Sequence, residues 1–154
     1  MRVIGIDPDA TGGIAYVDGG VTTCRRLWFS DAHRNREVLA EVCVPGSVAY
    51  VESIPLIKGN GHVGSATRRV RYGAMLERLA SLGVRVVEVA PVTWQGALRL
   101  SAGRGEGRNL HKMRMAKVAR TLCPDVAFPL ADAVLIAYYA CQREANDVRA
   151  AQGN

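Results

Sequence analysis

Three short apolar runs separated by tight turns open the chain, and they restrict the folds that it can adopt. The runs cover Val3–Asp7, Ile14–Asp18 and Val21–Phe29, and each has the length and composition of a β-strand. A Pro-Asp turn and a glycine pair follow the first run, and Gly19-Gly20 separates the other two. Strands joined by so few residues pair in antiparallel fashion, because a parallel pair needs a long crossover connection. The sequence therefore predicts three consecutive antiparallel strands.

Further along the chain, apolar runs alternate with segments of helical periodicity. Strands are predicted at Val48–Ser53 and Val84–Val89. Helices are predicted at 31–43, 67–82, 109–122 and 129–143, with a short one starting at residue 90. Helical crossovers would make both later strands parallel to the first, which predicts an α/β fold with a five-stranded mixed sheet flanked by helices. Residues 1–146 would form a single domain, and residues 147–154 a loose polar tail.

The composition is typical of a folded protein and does not indicate export. Of the 154 residues, 49% are hydrophobic, which argues against disorder. The apolar runs are too short to span a membrane and no signal segment precedes the first strand, so a cytoplasmic protein is expected. The four cysteines form no C-x-x-C pair, which favours free thiols over a zinc site or a disulfide framework.

Positive charge is concentrated in two parts of the chain. The net charge is +6 and the pI is about 9.5, a balance that suits a polyanionic partner. From Arg99 to Arg120 there are seven Lys or Arg residues and a single acid, Glu106, and a second basic cluster begins at Arg68. A solvated helix face is the alternative interpretation, but the shortage of nearby acids favours contact with nucleic acid.

Three acids occupy positions that a folded core would normally give to apolar residues. Asp7 and Glu52 each end an apolar strand, and Asp132 lies within an apolar helical run. If the two strands are parallel neighbours, both carboxylates emerge at the same edge of the sheet, on the same face by strand alternation. Carboxylates brought together in this way suit Mg²⁺ or Mn²⁺, which prefer oxygen ligands. The sequence therefore predicts a metal site formed by these three acids. Two such ions side by side can catalyse phosphodiester hydrolysis.

Each acid also has a purely structural interpretation. Asp7 could cap the turn that follows it, Glu52 could pair with an arginine, and Asp132 could be a favourable acid at a helix N-terminus. Asp9 could be an outer metal ligand or only a turn residue. Since the three acids occur together on a basic chain with this strand order, the metal site is the preferred interpretation.

Three motifs, in this order along the chain, resemble a known family. They are Ile4-Gly-Ile-Asp-Pro8, Tyr50-Val-Glu-Ser53 and Ala131-Asp-Ala-Val-Leu-Ile-Ala137. Together they are similar to the RuvC-type Holliday-junction resolvases of the RNase H-like superfamily. The Asp-Pro-Asp segment and the Glu-Ser-Ile-Pro segment with its glycine-rich continuation are closer to the chloroplast and phage-like branch.

The resemblance implies a homodimeric endodeoxyribonuclease that makes paired symmetric nicks in four-way DNA junctions, using Mg²⁺ or Mn²⁺ and two ions per active site. Asp7, Glu52 and Asp132 would be its catalytic, metal-binding acids. RuvC-type enzymes commonly carry a further acid three residues before the last one, where this chain has Pro129. Asp9 is the candidate to take the place of that acid in catalysis.

Residues near the predicted active site are expected to contact DNA. The glycine-rich loop 54–66 directly follows Glu52 and should approach the scissile phosphate, while the predicted helix 67–82 is the candidate dimer surface. Trp94 and Trp28 are expected in the core. The predicted DNA contacts are Lys58, His62, Arg68, Arg69, Arg71, Arg104, Arg108, Lys112, Arg114 and Lys117.

Two other functions are compatible with the same features. An RNase H-like nuclease that acts on RNA or on an RNA–DNA hybrid would use the same acids. A catalytically silent junction-binding protein would keep the fold without the chemistry, and Pro129 favours that alternative. A sugar-kinase-like ATPase fits poorly, because the chain is too short for two lobes and lacks a second phosphate loop.

Overall fold

A single mixed sheet organises the protein. The computed structural model describes residues 1–9, 11–28, 31–54 and 62–153, without the side chains of residues 32 and 62–65. Its strands are β1 (Val3–Asp7), β2 (Gly13–Asp18), β3 (Val21–Arg26), β4 (Val48–Glu52) and β5 (Arg85–Val89). They lie in the order β3-β2-β1-β4-β5, with β1–β2 and β2–β3 antiparallel and β1–β4 and β4–β5 parallel. The predicted sheet of three antiparallel and two parallel strands is confirmed.

Helices cover both faces of this sheet. The α-helices in the described part of the chain are α1 (Ala32–Val42), α2 (His62–Ser81), α3 (Pro91–Ala97), α4 (Arg108–Leu122) and α5 (Ala131–Gln152). A short 3₁₀ turn, Phe128–Leu130, leads into α5. None of these helices combines the length and the apolar character that crossing a membrane would require.

Alternating side chains of the strands feed two separate cores. Ile4 and Ile6 of β1 point to the face covered by α1 and α2, where they pack with Leu39 and Leu79. Val3 belongs to the opposite core, which α3, α4 and α5 complete. The helix α5 is the centre of that second core, because residues 131–137 are all buried.

Gly5 sets how closely α5 approaches the sheet. A Cβ atom at this position would overlap the backbone nitrogen of Ala137 and the carbonyl oxygen of Ala133. The strand and the helix therefore touch backbone to backbone, a contact that only glycine permits. This contact places the first turn of α5, which carries Asp132, beside the end of β1.

The boundaries of three elements differ from the sequence prediction by more than one residue. The third strand ends at Arg26 rather than at Phe29, which lies outside the described residues. The helix α2 begins at His62, so residues 62–66 are helical rather than part of the predicted loop, since extending an existing helix by a turn costs little. The last helix runs to Gln152, and the loose tail predicted from residue 147 is wrong for residues 147–152. These residues contain neither Gly nor Pro before Gly153, so nothing stops the helix earlier.

Candidate active site

The fold brings the three predicted acids to one edge of the sheet. Asp7 is the last residue of β1 and Glu52 the last of β4. The preceding residues Ile6 and Val51 are register partners in the parallel pair, so the two acids follow adjacent positions. Asp132, the second residue of α5, joins them because α5 packs directly on β1. Segments far apart in the sequence thus supply one cluster of carboxylates.

Burial and repulsion between neighbouring acids raise the pKa values of Asp7 and Glu52. Asp7 and Asp132 are 6% and 7% exposed, and Glu52 is half-buried. Burial is the main cause that raises the pKa of Asp7 to about 6, and the negative charge of Asp132 is the second. Burial is also the main cause that raises the pKa of Glu52 to about 7, and the negative charge of Asp7 is the second. The three carboxylates therefore lie near enough to repel one another. The positive charges of Lys112 and Arg68 offset this repulsion only in part.

A hydrogen-bond donor orients each acid. The backbone N–H of Asp9 donates to Oδ1 of Asp7 over 3.0 Å. The indole Nε1 of Trp94 donates to Oε2 of Glu52 over 2.8 Å. The ammonium group of Lys112 donates to Oδ2 of Asp132. These bonds fix the direction of all three carboxylates.

Sequence reasoning missed two of these contacts. Trp94 is completely buried in the core, as predicted, but its role in holding Glu52 was not foreseen. A buried indole N–H needs an acceptor, and this requirement is the signal that could have suggested an acid nearby. Lys112 was predicted to contact DNA, and its ion pair with Asp132 places it within the carboxylate cluster.

Asp9 lies beside the cluster and has a partner of its own. Its carboxylate accepts from the guanidinium of Arg68 on α2 and is about half exposed. Gly12 closes the loop, because a Cβ there would overlap the carbonyl oxygen of Asp7. The loop after β1 is therefore tied to the N-terminal part of α2. The catalytic role of Asp9 stays a prediction.

The chemistry of the cluster suits a hard divalent cation. Its donors are all carboxylate oxygens, and such an ion would relieve the mutual repulsion that, after burial, raises the pKa values of Asp7 and Glu52. In the described part of the chain, however, no three His, Cys, Asp or Glu side chains are grouped closely enough to hold one ion as they stand. The ammonium group of Lys112 takes the cation position on Asp132.

The predicted DNA contacts fall into three groups. Lys58 lies outside the described residues, as does the side chain of His62. Arg68, Lys112 and Arg114 bind acids within the protein, namely Asp9, Asp132 and Glu106. The remaining predicted contacts are exposed at the surface: Arg69, Arg71, Arg104, Arg108 and Lys117.

Two solved structures have a similar fold. A structure of Thermus thermophilus RuvC in complex with a Holliday junction substrate is similar with a TM-score of 0.58 and 20% identity, covering 90% of this chain and 92% of that one. Another structure of Thermus thermophilus RuvC is similar with a TM-score of 0.56 and 24% identity, with the same coverage of both chains.

The comparison with protein-family models found no match, and the comparison with curated proteins found no significant one. At identities below 25% the structural similarity establishes the fold. The chain therefore has an RNase H-like α/β fold, with a mixed five-stranded sheet and flanking helices arranged as in RuvC.

Proposed function

We propose that this protein is a divalent-metal-dependent endodeoxyribonuclease that resolves four-way DNA junctions by paired symmetric nicks. The observation that carries the proposal is the meeting of Asp7, Glu52 and Asp132 at the carboxyl edge of a RuvC-like sheet, where the pKa values of Asp7 and Glu52 are raised. Structural ion pairing does not explain three acids that meet at one edge, whereas metal-assisted phosphodiester hydrolysis uses such a carboxylate cluster.

The three acids are the residues that would hold Mg²⁺ or Mn²⁺, with two ions in each active site. When bound, such ions supply an activated water and stabilise the charge on the leaving oxygen. The backbone N–H of Asp9 orients the carboxylate of Asp7, and the indole N–H of Trp94 orients that of Glu52. Lys112 holds Asp132 and brings a positive charge to a place where negative charge develops during phosphate cleavage.

DNA would be held by the exposed basic residues around this edge. Arg108 begins α4, and Lys112 follows one helical turn later at the carboxylate cluster. One turn of helix rises only about 5.4 Å, so the start of α4 and the basic loop before it border the active site. Arg104, Arg108 and Lys117 are then suited to phosphate contacts, which give affinity without reading sequence.

Two further features complete the proposal. Paired nicks on opposed strands require two active sites, so the protein would act as a homodimer, with α2 as the candidate surface. It would work in the cytoplasm of a prokaryotic cell or of a phage-infected host. The closer similarity to the chloroplast and phage-like branch, which rests on the motifs around Asp7 and Glu52, stays a prediction.

The test is cleavage of a synthetic immobile four-way junction with Mg²⁺, with Mn²⁺ or with EDTA. The wild-type protein should nick opposed strands symmetrically and only with the ion, while Asp7→Asn should lose this activity and still bind the junction. Asp147→Asn, which removes an exposed acid on α5, is the matched control and should cleave normally. Cleavage by Asp7→Asn would refute the catalytic assignment.

Pro129 supports a second candidate function, a silent junction-binding protein. It lies in the 3₁₀ turn before α5, where the resembling family has a fourth acid. Tight junction binding without nicking by the wild-type protein, in several sequence contexts and with either ion, would establish this alternative. Preferential cleavage of an RNA–DNA hybrid under the same salt would instead identify a nuclease of different substrate class.

A further inference from the structure

A cavity lies on the face of the sheet opposite α5, between α1 and α2. Its volume is about 250 Å³. The residues that line it in the described part of the chain are Leu27, Asn35, Arg36, Leu39, Arg71, Ala74, Met75 and Arg78. The carboxylate cluster borders the other core, so this cavity is separate from the proposed active site.

Positive charge surrounds the cavity, and none of the lining residues in the described part of the chain is an acid. Arg36 comes from α1, while Arg71 and Arg78 lie two helical turns apart on α2. Within the described residues, none of these three side chains makes a hydrogen bond or an ion pair. The Nε atom of Arg78 is buried and has no partner there. A buried N–H without an acceptor is costly, and a bound anion would supply that acceptor.

The acids at the start of α1 and along it contact groups outside the cavity. On α1, Glu37 lies 3.5 Å from His33 and Glu41 lies 3.5 Å from Arg25. The carboxylate of Asp31 caps the helix by accepting hydrogen bonds from two backbone N–H groups. It also forms an ion pair with the side chain of Arg34. The guanidinium groups at the cavity are thus left without an anion from this helix.

The floor of the cavity is apolar and its wall is fixed. Leu27, Leu39 and Met75 are 1%, 3% and 9% exposed, so they form a packed hydrophobic base. Asn35 bonds the backbone of Trp28 in both directions, donating over 3.0 Å and accepting over 2.6 Å. A preformed apolar cavity with a few polar groups at its mouth is the usual form of a small-molecule site.

We propose that this cavity binds a small amphipathic anion, in which a carboxylate or phosphate group is attached to a short apolar body. The apolar body would lie on Leu27, Leu39 and Met75, and the oxyanion would bind the guanidinium of Arg78 with support from Arg36 and Arg71. Guanidinium groups bind both oxyanions through paired hydrogen bonds, so the cavity selects charge and shape rather than one of the two head groups. Arg71, predicted from the sequence to contact DNA, belongs to this site.

The test is isothermal titration of the full chain, without DNA, with octanoate, octyl phosphate and neutral 1-octanol. Octanoate and octyl phosphate should bind with one saturable site per chain, and 1-octanol should bind at least about tenfold more weakly. Arg78→Gln should weaken octanoate about tenfold. Ala74→Phe should abolish binding, because the exposed Ala74 tolerates a larger side chain that fills the cavity.

Arg149→Gln, which removes an exposed arginine on α5, is the control and should bind octanoate as the wild type does. Circular dichroism of each variant separates loss of the site from loss of the fold. If Arg78→Gln does not fold, Ala74→Phe alone tests whether octanoate binds in the cavity. Equal binding of 1-octanol, normal binding by Ala74→Phe or absence of saturable octanoate binding would each overturn the proposal. Displacement of octanoate by a short DNA duplex would also overturn it and assign the cavity to a nucleic-acid phosphate.

Discussion

Arg114 binds Glu106 through two parallel hydrogen bonds, with Nε 3.0 Å from Oε1 and Nη2 2.9 Å from Oε2. The same carboxylate accepts the backbone N–H of Gly103 over 2.8 Å, and the Nη2 atom also donates to the carbonyl oxygen of Ser101 over 2.9 Å. These bonds, with the Arg114 contact foremost, lower the pKa of Glu106 to about 2. The pair closes the loop 101–107, which carries Arg104, onto the middle of α4.

Glu106→Gln should weaken junction binding several-fold, although it removes a negative charge from a DNA-binding surface. A neutral amide cannot accept the two guanidinium bonds and the Gly103 N–H as a carboxylate does, so the loop loses its fixed shape. Binding must then order the loop and Arg104, and the lost conformational entropy lowers the affinity. The measurement is a junction titration at constant salt, followed by fluorescence anisotropy.

Asp125→Asn provides the comparison for this experiment. It removes an exposed acid at the far end of α4, away from the loop. Simple electrostatics would make both variants bind DNA slightly more tightly. If Glu106→Gln gains affinity as Asp125→Asn does, the pair does not position the loop.

Asp7→Asn should stabilise the metal-free protein at pH 8 by about 3 kcal/mol. The pKa of Asp7 is raised to about 6 from 3.8, so the folded state binds the proton more tightly than the unfolded state. The unfolded chain therefore ionises first as the pH rises, and between about 4 and 6 the wild type loses stability. The difference between variant and wild type should shrink as the pH falls through this range.

Thermal unfolding in EDTA from pH 4 to pH 8 measures this difference. Asp125→Asn should follow the wild type throughout, because its carboxylate is exposed. A constant difference between Asp7→Asn and wild type across the range would show that ionisation of Asp7 is not its cause.

Mn²⁺ should raise the melting temperature of the wild-type protein at pH 8 in the absence of DNA. The ion would neutralise the repulsion among Asp7, Glu52 and Asp132, and saturation at a hundredfold excess over Kd corresponds to about 2.7 kcal/mol. Asp7→Asn should show a much smaller increase, and Asp125→Asn the full one. An equal response of all three proteins would place the bound ion elsewhere.

Gly5→Ala should destabilise the protein by more than about 3 kcal/mol or prevent soluble expression. The new Cβ would meet the backbone of Ala133 and Ala137, which cannot rotate away as a side chain would. Gly73→Ala is the matched control, since nothing lies within 4 Å of a Cβ at that position in α2. It should be neutral or stabilise by up to about 1 kcal/mol, measured by urea unfolding.

Much of the fold was predictable because it rests on local patterns. Tight turns after Asp7 and at Gly19-Gly20 imply antiparallel pairing, and the later alternation of strands and helices implies parallel crossovers. The order of β1 and β4 then brings Asp7 and Glu52 to one edge. Helix ends were less predictable, as at His62 and Gln152, because periodicity does not mark where an exposed helix stops.

The sequence alone was enough to predict the elements, their order, and the acids at the ends of two strands. How Glu52 and Asp132 are held depends on the tertiary structure, since Trp94 and Lys112 reach them from helices far away in the sequence. It also decided which arginines bind acids and which surround a cavity. The physical reason is that side-chain hydrogen bonds and ion pairs depend on distances between elements, and packing sets those distances, as the contact of Gly5 with α5 does here.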